Sequence, residues 1–133
     1  MRSRVKSAII CVDDEKMILD SLSLQLSKAF GDDFLYEFAE SADEAFEVIE
    51  EFEEEGTPLV VVVSDWLMPR MKGDEFLVKL HERFPEVVKI MLSGQADPAS
   101  VQNAKEHANL HQFVKKPWKE EELVAAIRSA FQA

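Results

Sequence analysis

"VVVVSDWLMPRMKG", residues 60–73, carries four valines straight into a serine and an aspartate. An unbroken run of branched apolar residues suits a strand buried on both faces, as in a parallel sheet. A carboxylate at the end of such a run is costly unless something pairs with it. Asp65 therefore asks for partners, and the rest of the chain can be read for where they come from.

Working outward, the strand holding the valines spans Leu59–Ser64, and four further apolar runs lie at Val5–Val12, Phe34–Ala39, Val87–Leu92 and His111–Lys115. Between them apolar residues recur at helical spacing: Ile18, Leu22, Leu26 and Ala29; Ala45, Ile49 and Phe52; Phe76, Leu80 and Phe84; Val101, Ala104 and Ala108; Leu123, Ile127 and Ala130. Ser41 with Glu44 reads as a capping box, and Asp97 before Pro98 as an N-cap with proline in the first helical position. Gly31, Gly56 and Pro85 stand where helices should stop. Five β-α repeats predict a parallel sheet covered by helices on both faces, with the first and third strands central. In such a sheet ligands bind beyond the carboxyl ends of the strands, where the strand order reverses.

A chain of 133 residues, 47% hydrophobic and 31% charged, is long enough to bury a core and is most simply one domain spanning 1–133. The net charge of −11 argues against a nucleic-acid or anionic-membrane surface. The acidic runs Glu50–Glu55 and Glu120–Glu122 read as solvated helix faces. One cysteine, Cys11, excludes an internal disulfide and reads as a small core residue. His81, His107 and His111 share no metal-ligand spacing. With no apolar stretch near the roughly 20 residues of a membrane span and no signal-peptide pattern, a cytoplasmic location is expected.

The strand ends hold Asp13-Asp14-Glu15, Asp65, Ser93-Gly94 and Lys115-Lys116-Pro117. With strands one and three adjacent, three aspartates converge, and carboxylates that close repel unless a cation joins them. A few carboxylates plus water suit Mg²⁺. A hydroxyl and an ammonium beside such a cluster suit a transferring phosphoryl group with a carboxylate as nucleophile, giving an aspartyl phosphate. There is no GxxxxGK[ST] or GxGxxG loop, so a nucleotide is not the expected donor.

Four pieces, "VDDE", "VVVVSDWLMPRMKG", "MLSG" and "FVKKPW", stand in this order at successive strand ends. Together they resemble the CheY-like receiver domain of two-component response regulators over Val5–Phe131. The resemblance implies a three-layer, doubly wound (βα)5 flavodoxin-like α/β sandwich whose five parallel strands run in the order 2-1-3-4-5. It implies Asp65 as phosphoacceptor and Mg²⁺ held by Asp14, Asp65 and the Leu67 carbonyl, with Asp13 acting through metal-bound water. Ser93 would hydrogen-bond the phosphoryl group and Lys116, rather than the solvent-facing Lys115, would pair with it. Lys116 is chosen because the family's lysine directly precedes proline; an X-Pro bond can be cis at modest cost, and the family uses that bend to aim the lysine inward. Pro69 and Gly73 would shape the loop after Asp65, Gly73 by its backbone freedom.

On the same resemblance the chain is a regulatory switch rather than an enzyme. A histidine kinase or histidine phosphotransfer protein supplies the phosphoryl group. Ser93 and Phe113 change place on phosphorylation, and the face of helix four, strand five and helix five is altered. That face is also where a homodimer would form, and any output domain lies outside this chain. Leu67 and Gln95 would set the phosphorylated lifetime: Leu67 cannot orient an attacking water, so it favours a long one. Trp66 adjoins the expected metal site, so its fluorescence would report on it. Trp118 packs near helix five or joins a partner surface. Two other readings compete. One is a Mg²⁺-dependent aspartyl-phosphate phosphohydrolase, which wants DxD where this chain has DDE and a cap domain for which there is no room. The other is an interaction module that works without phosphate.

Overall fold

A computed structural model describes residues 6–131 except Pro69 and Ala96. Five strands, β1 (Ser7–Val12), β2 (Phe34–Ala39), β3 (Leu59–Asp65), β4 (Val88–Ser93) and β5 (Gln112–Lys115), alternate with five helices. The helices are α1 (Lys16–Phe30), α2 (Ala42–Glu55), α3 (Gly73–Arg83), α4 (Pro98–His107) and α5 (Glu120–Ser129). All strand pairs are parallel and the order is β2-β1-β3-β4-β5. This is the doubly wound flavodoxin-like sandwich, with β3 at the centre and the strand order reversing between β1 and β3.

Side chains alternate across the sheet, so each internal strand feeds two cores. Ile9, Cys11, Val61, Val63, Ile90 and Leu92 pack against α1 and α5. Ile10, Val12, Val62 and Met91 pack against α2, α3 and α4. This two-sided burial explains the unbroken valine run. Cys11 is fully buried, and burial followed by the charge of Asp13 pushes its thiol up to about 12, which leaves it inert.

The helix ends follow their signals with one exception. Asp97 caps α4 by accepting the Ser100 N–H at 2.7 Å, and Gly56 ends α2 with φ +74°, a conformation that favours glycine. Ser41 accepts the Glu44 N–H at 3.1 Å, but the Glu44 carboxylate reaches the N–H of Glu40 at 3.4 Å rather than that of Ser41. Only half of the expected capping box forms.

Strand limits shift by one residue where function is concerned. β3 includes Asp65 and β4 includes Ser93, so both are strand residues held by the ladder rather than loop residues beyond it. His111 lies just before β5, tied by its N–H to the Lys89 carbonyl at 2.8 Å. Val5 and Pro69 fall outside the described residues.

Candidate functional site

The carboxyl ends of β1, β3, β4 and β5 meet in a cleft of about 220 Å³ lined by Asp14, Asp65, Leu67, Ser93, Gln95 and Lys116, among others. Register brings the groups together: Val12 faces Ser64, Asp65 faces Leu92, and Ser93 faces Lys115. Asp13 and Asp65 are buried and Asp14 is exposed. Each of the three offers a carboxylate oxygen, and these atoms all lie within 4.8 Å of one another.

The Lys116 ammonium donates to Asp13 Oδ2 at 2.8 Å and to Asp65 Oδ1 at 3.2 Å, so it bridges two of the three acids. The Lys116–Pro117 bond is cis, the Lys116 N–H donates to the Ser93 carbonyl at 3.1 Å, and Lys115 is exposed. Burial alone would lower the Lys116 pKa. The hydrogen bonds and charges of Asp13 and Asp65 outweigh it and hold the group above the ordinary lysine value. Asp65 is raised as well: burial first, then the charge of Asp13, push it up to about 6, against the opposing pull of Lys116. One lysine does not neutralise three carboxylates.

That imbalance tests the expected cation. An all-oxygen, mainly carboxylate donor set with room for water is what a hard dication such as Mg²⁺ requires, and soft or nitrogen-preferring metals find no thiolate or imidazole here. The residues fit.

Gly73 sets the shape of the following loop. Its N–H donates to the Trp66 carbonyl at 2.7 Å, and a Cβ at this position would collide with the Asp65 carbonyl oxygen and come within 2.8 Å of the Trp66 Cα. Glycine is required by close approach, since no positive φ is involved. Leu67 projects with 48% of its surface exposed. Ser93 is buried, and its Oγ accepts the Gln95 N–H at 3.1 Å, which leaves the hydroxyl proton to donate elsewhere.

Three aromatic side chains complete the surroundings. Phe113 is half-buried against the α2–α4 core. The Trp66 indole is buried in that same core, where its Nε1 donates to Asp74 Oδ1 at 3.0 Å. The second Asp74 oxygen accepts Asn103 Nδ2 of α4 at 2.9 Å. Neither Asp74 nor Asn103 is visible to sequence reasoning, because an acid in the first turn of a helix reads as an ordinary solvated residue. Trp118 turns to α1, donating Nε1 to Gln25 Oε1 at 2.8 Å. A larger cleft of about 470 Å³ lies at the opposite end of the sheet, among Ile49, Phe52, Arg83, Phe84 and Val87. Its Arg83 is paired with Glu53 at 3.7 Å, away from the carboxylate cluster, so size does not mark the chemistry.

Comparison with known proteins agrees with this geometry. The family model for the response regulator receiver domain matches residues 9–128. The chain belongs to this family. It is 31% identical over 128 residues to the hydrogenase transcriptional regulatory protein HoxA of Cupriavidus necator, covering 96% of this chain but 25% of that protein. The signal receiver domain of an HD domain-containing protein from Pseudomonas fluorescens Pf-5 superposes with a TM-score of 0.84 at 25% identity, covering 99% of this chain and 91% of that one. A beryllofluoride-activated NtrC4 receiver domain dimer gives 0.80 at 27% identity, covering 94% and 96%. Receiver domains are regulatory signalling domains with an acidic pocket for Mg²⁺, and this receiver has the Asp cluster of such a pocket. Among the described residues no helix is long and apolar enough to cross a membrane.

Proposed function

We propose that this receiver is a phosphoacceptor switch in which Asp65 takes a phosphoryl group from a phosphohistidine of a histidine kinase or phosphotransfer protein. The observation that carries it is the Lys116 ammonium lying between Asp13 and Asp65, at 2.8 and 3.2 Å, in a cleft that already holds more negative charge than it can balance. An Asp65 oxygen attacks phosphorus, the P–N bond to imidazole breaks, and the leaving nitrogen takes its electron pair and a proton. Lys116 stabilises charge on the phosphoryl oxygens and Ser93 donates its hydroxyl to one of them. Asp14, Asp65 and the Leu67 carbonyl would hold Mg²⁺, with Asp13 acting through water. The ion, when bound, supplies charge neutralisation for the transferring group. Hydrolysis returns the Asp65 carboxylate and inorganic phosphate when water attacks phosphorus and the acyl–phosphate P–O bond breaks.

We read the chain as a single receiver domain. The output is then a change at α4, β5 and α5, with Ser93 and Phe113 as the linked positions. Its consequence is a homodimer or contact with an output domain. The dimeric state named for the NtrC4 receiver supports the first of these. The test is intact-protein mass after incubation with Mg²⁺ and acetyl phosphate, beside Asp65→Asn. A phosphoryl adduct on the parent alone, abolished by EDTA, is expected. An adduct of equal yield on Asp65→Asn would overturn the assignment.

A further inference from the structure

Asp74 is a carboxylate with only 6% of its surface exposed, in the first turn of α3. Among the described residues it has no ion-pair partner within 4.0 Å, though Lys72 sits over the neighbouring Trp66 ring at 5.0 Å. A buried charge held only by neutral donors is expensive, and an apolar residue of similar size would ordinarily serve packing better. The donors it holds are informative. One is the indole of Trp66, the residue directly after Asp65. The other is Asn103, on a helix of which only Ala104 is buried.

Each arm fastens a different segment, the loop after Asp65 and helix α4. The loop that carries Leu67 starts at Trp66, whose carbonyl accepts the Gly73 N–H at 2.7 Å. The indole–Asp74 bond of 3.0 Å closes it a second time at the same point. Helix α4, poor in apolar anchors, receives from Asp74 a charge-assisted hydrogen bond of 2.9 Å.

We propose that Asp74 is a positioning residue that couples the metal and phosphoryl site to helix α4, holding the Leu67 loop through Trp66 and the helix through Asn103. The proposal rests on the cation and phosphoryl reading given above. It identifies a route between site and output face that passes through Trp66, Asp74 and Asn103 rather than through Ser93 and Phe113. Because coupling is reciprocal, ordering of the loop by a bound cation should steady α4, and loosening of Asp74 should weaken cation binding.

The test measures Mg²⁺ affinity by calorimetry and α4 amide exchange between Val101 and His107, in the full chain, with urea unfolding as a check on folding. Asp74→Leu is expected to weaken Mg²⁺ binding about tenfold, as loss of an outer-shell support does. Asp74→Asn, which keeps an acceptor for the indole, should stay within about threefold of the parent on the same scale. Mg²⁺ should slow α4 exchange in the parent about fivefold, and should not slow it in Asp74→Leu or Asn103→Leu. If Asp74→Leu loses stability but keeps both its Mg²⁺ affinity and the Mg²⁺ effect on α4, the coupling is refuted and Asp74 is structural. A parent that binds no Mg²⁺ would instead refute the cation reading, and this inference with it.

Discussion

Two lysines are held inside this receiver, one at each end of the sheet, and their surroundings are opposite. Lys116, at the carboxyl end, donates to two carboxylates and its pKa is held above the usual lysine value. Lys89, near the amino end of β4, is 1% exposed, and among the described residues its ammonium meets only neutral acceptors. These are His81 Nδ1 at 2.7 Å and the Pro85 carbonyl at 3.5 Å. Burial lowers it to about 8. His81 is itself held below its usual range, by burial and then by the Lys89 charge, so the ring is neutral and accepts. A buried cation matched by excess anion leaves a net negative site that calls for a further cation. A buried cation without an anion is a burden that the fold tolerates.

The comparison breaks most visibly at Lys116. Lys116→Met leaves Asp13, Asp14 and Asp65 facing one another with no internal counter-charge. Phosphorylation by acetyl phosphate in Mg²⁺ should fall by about 100-fold or more, the scale of removing one preorganised charge from a polar transition state. The Asp65 carboxyl should also titrate above its present value of about 6, because the lysine contributions that oppose burial are gone. Rates come from intact mass and the titration from carboxyl NMR. An unchanged rate would mean that the ammonium does not touch the reacting group.

The same substitution at the other lysine should have a smaller effect of opposite sign. Lys89→Met removes a cation that nothing neutralises and should stabilise the protein by about 1–3 kcal/mol at pH 7, read from urea midpoints. The pH dependence follows from the lowered pKa. The unfolded lysine keeps its proton to a higher pH than the folded one, so parent stability rises as pH passes from about 8 toward the ordinary lysine value of 10.5. The advantage of Lys89→Met should therefore shrink over that window. A constant advantage would mean that Lys89 keeps the ordinary lysine pKa in the folded protein.

The two lysines also show what the sequence could reveal. Lys116 was legible because it closes an apolar run, precedes proline and stands in order with Asp13, Asp65 and Ser93. The strand ends alone left Lys115 and Lys116 open, and the family resemblance, whose lysine directly precedes proline, decided between them. Lys89 sits in "VVKIML", where a lysine among apolar residues reads as an edge or snorkelling position, and only tertiary packing of α3 over β4 encloses it. Asp74 and Asn103 escaped for a related reason. Their meeting depends on how α4 lies across α3, a helix–helix contact between residues 29 apart that no local spacing encodes. The side of the sheet chosen by the Trp66 indole was hidden in the same way.

The smallest effect sharpens the comparison inside the cleft, where an apolar residue stands among charged ones. Leu67 offers no donor or acceptor side chain, yet it is 48% exposed and lines the cleft beside Asp65. On the proposed phosphoacceptor reading, water entering there to attack an aspartyl phosphate would find Lys116 committed to phosphoryl oxygens and no group at Leu67 to orient it. Leu67→Asn adds one such group. A single hydrogen bond worth about 1 kcal/mol, realised in the transition state, speeds phosphate loss roughly fivefold. Decay of the adduct after removal of acetyl phosphate measures this directly. Unchanged decay in Leu67→Asn, together with slower decay in Gln95→Ala, would assign water orientation to Gln95 and show that position 67 does not set the lifetime.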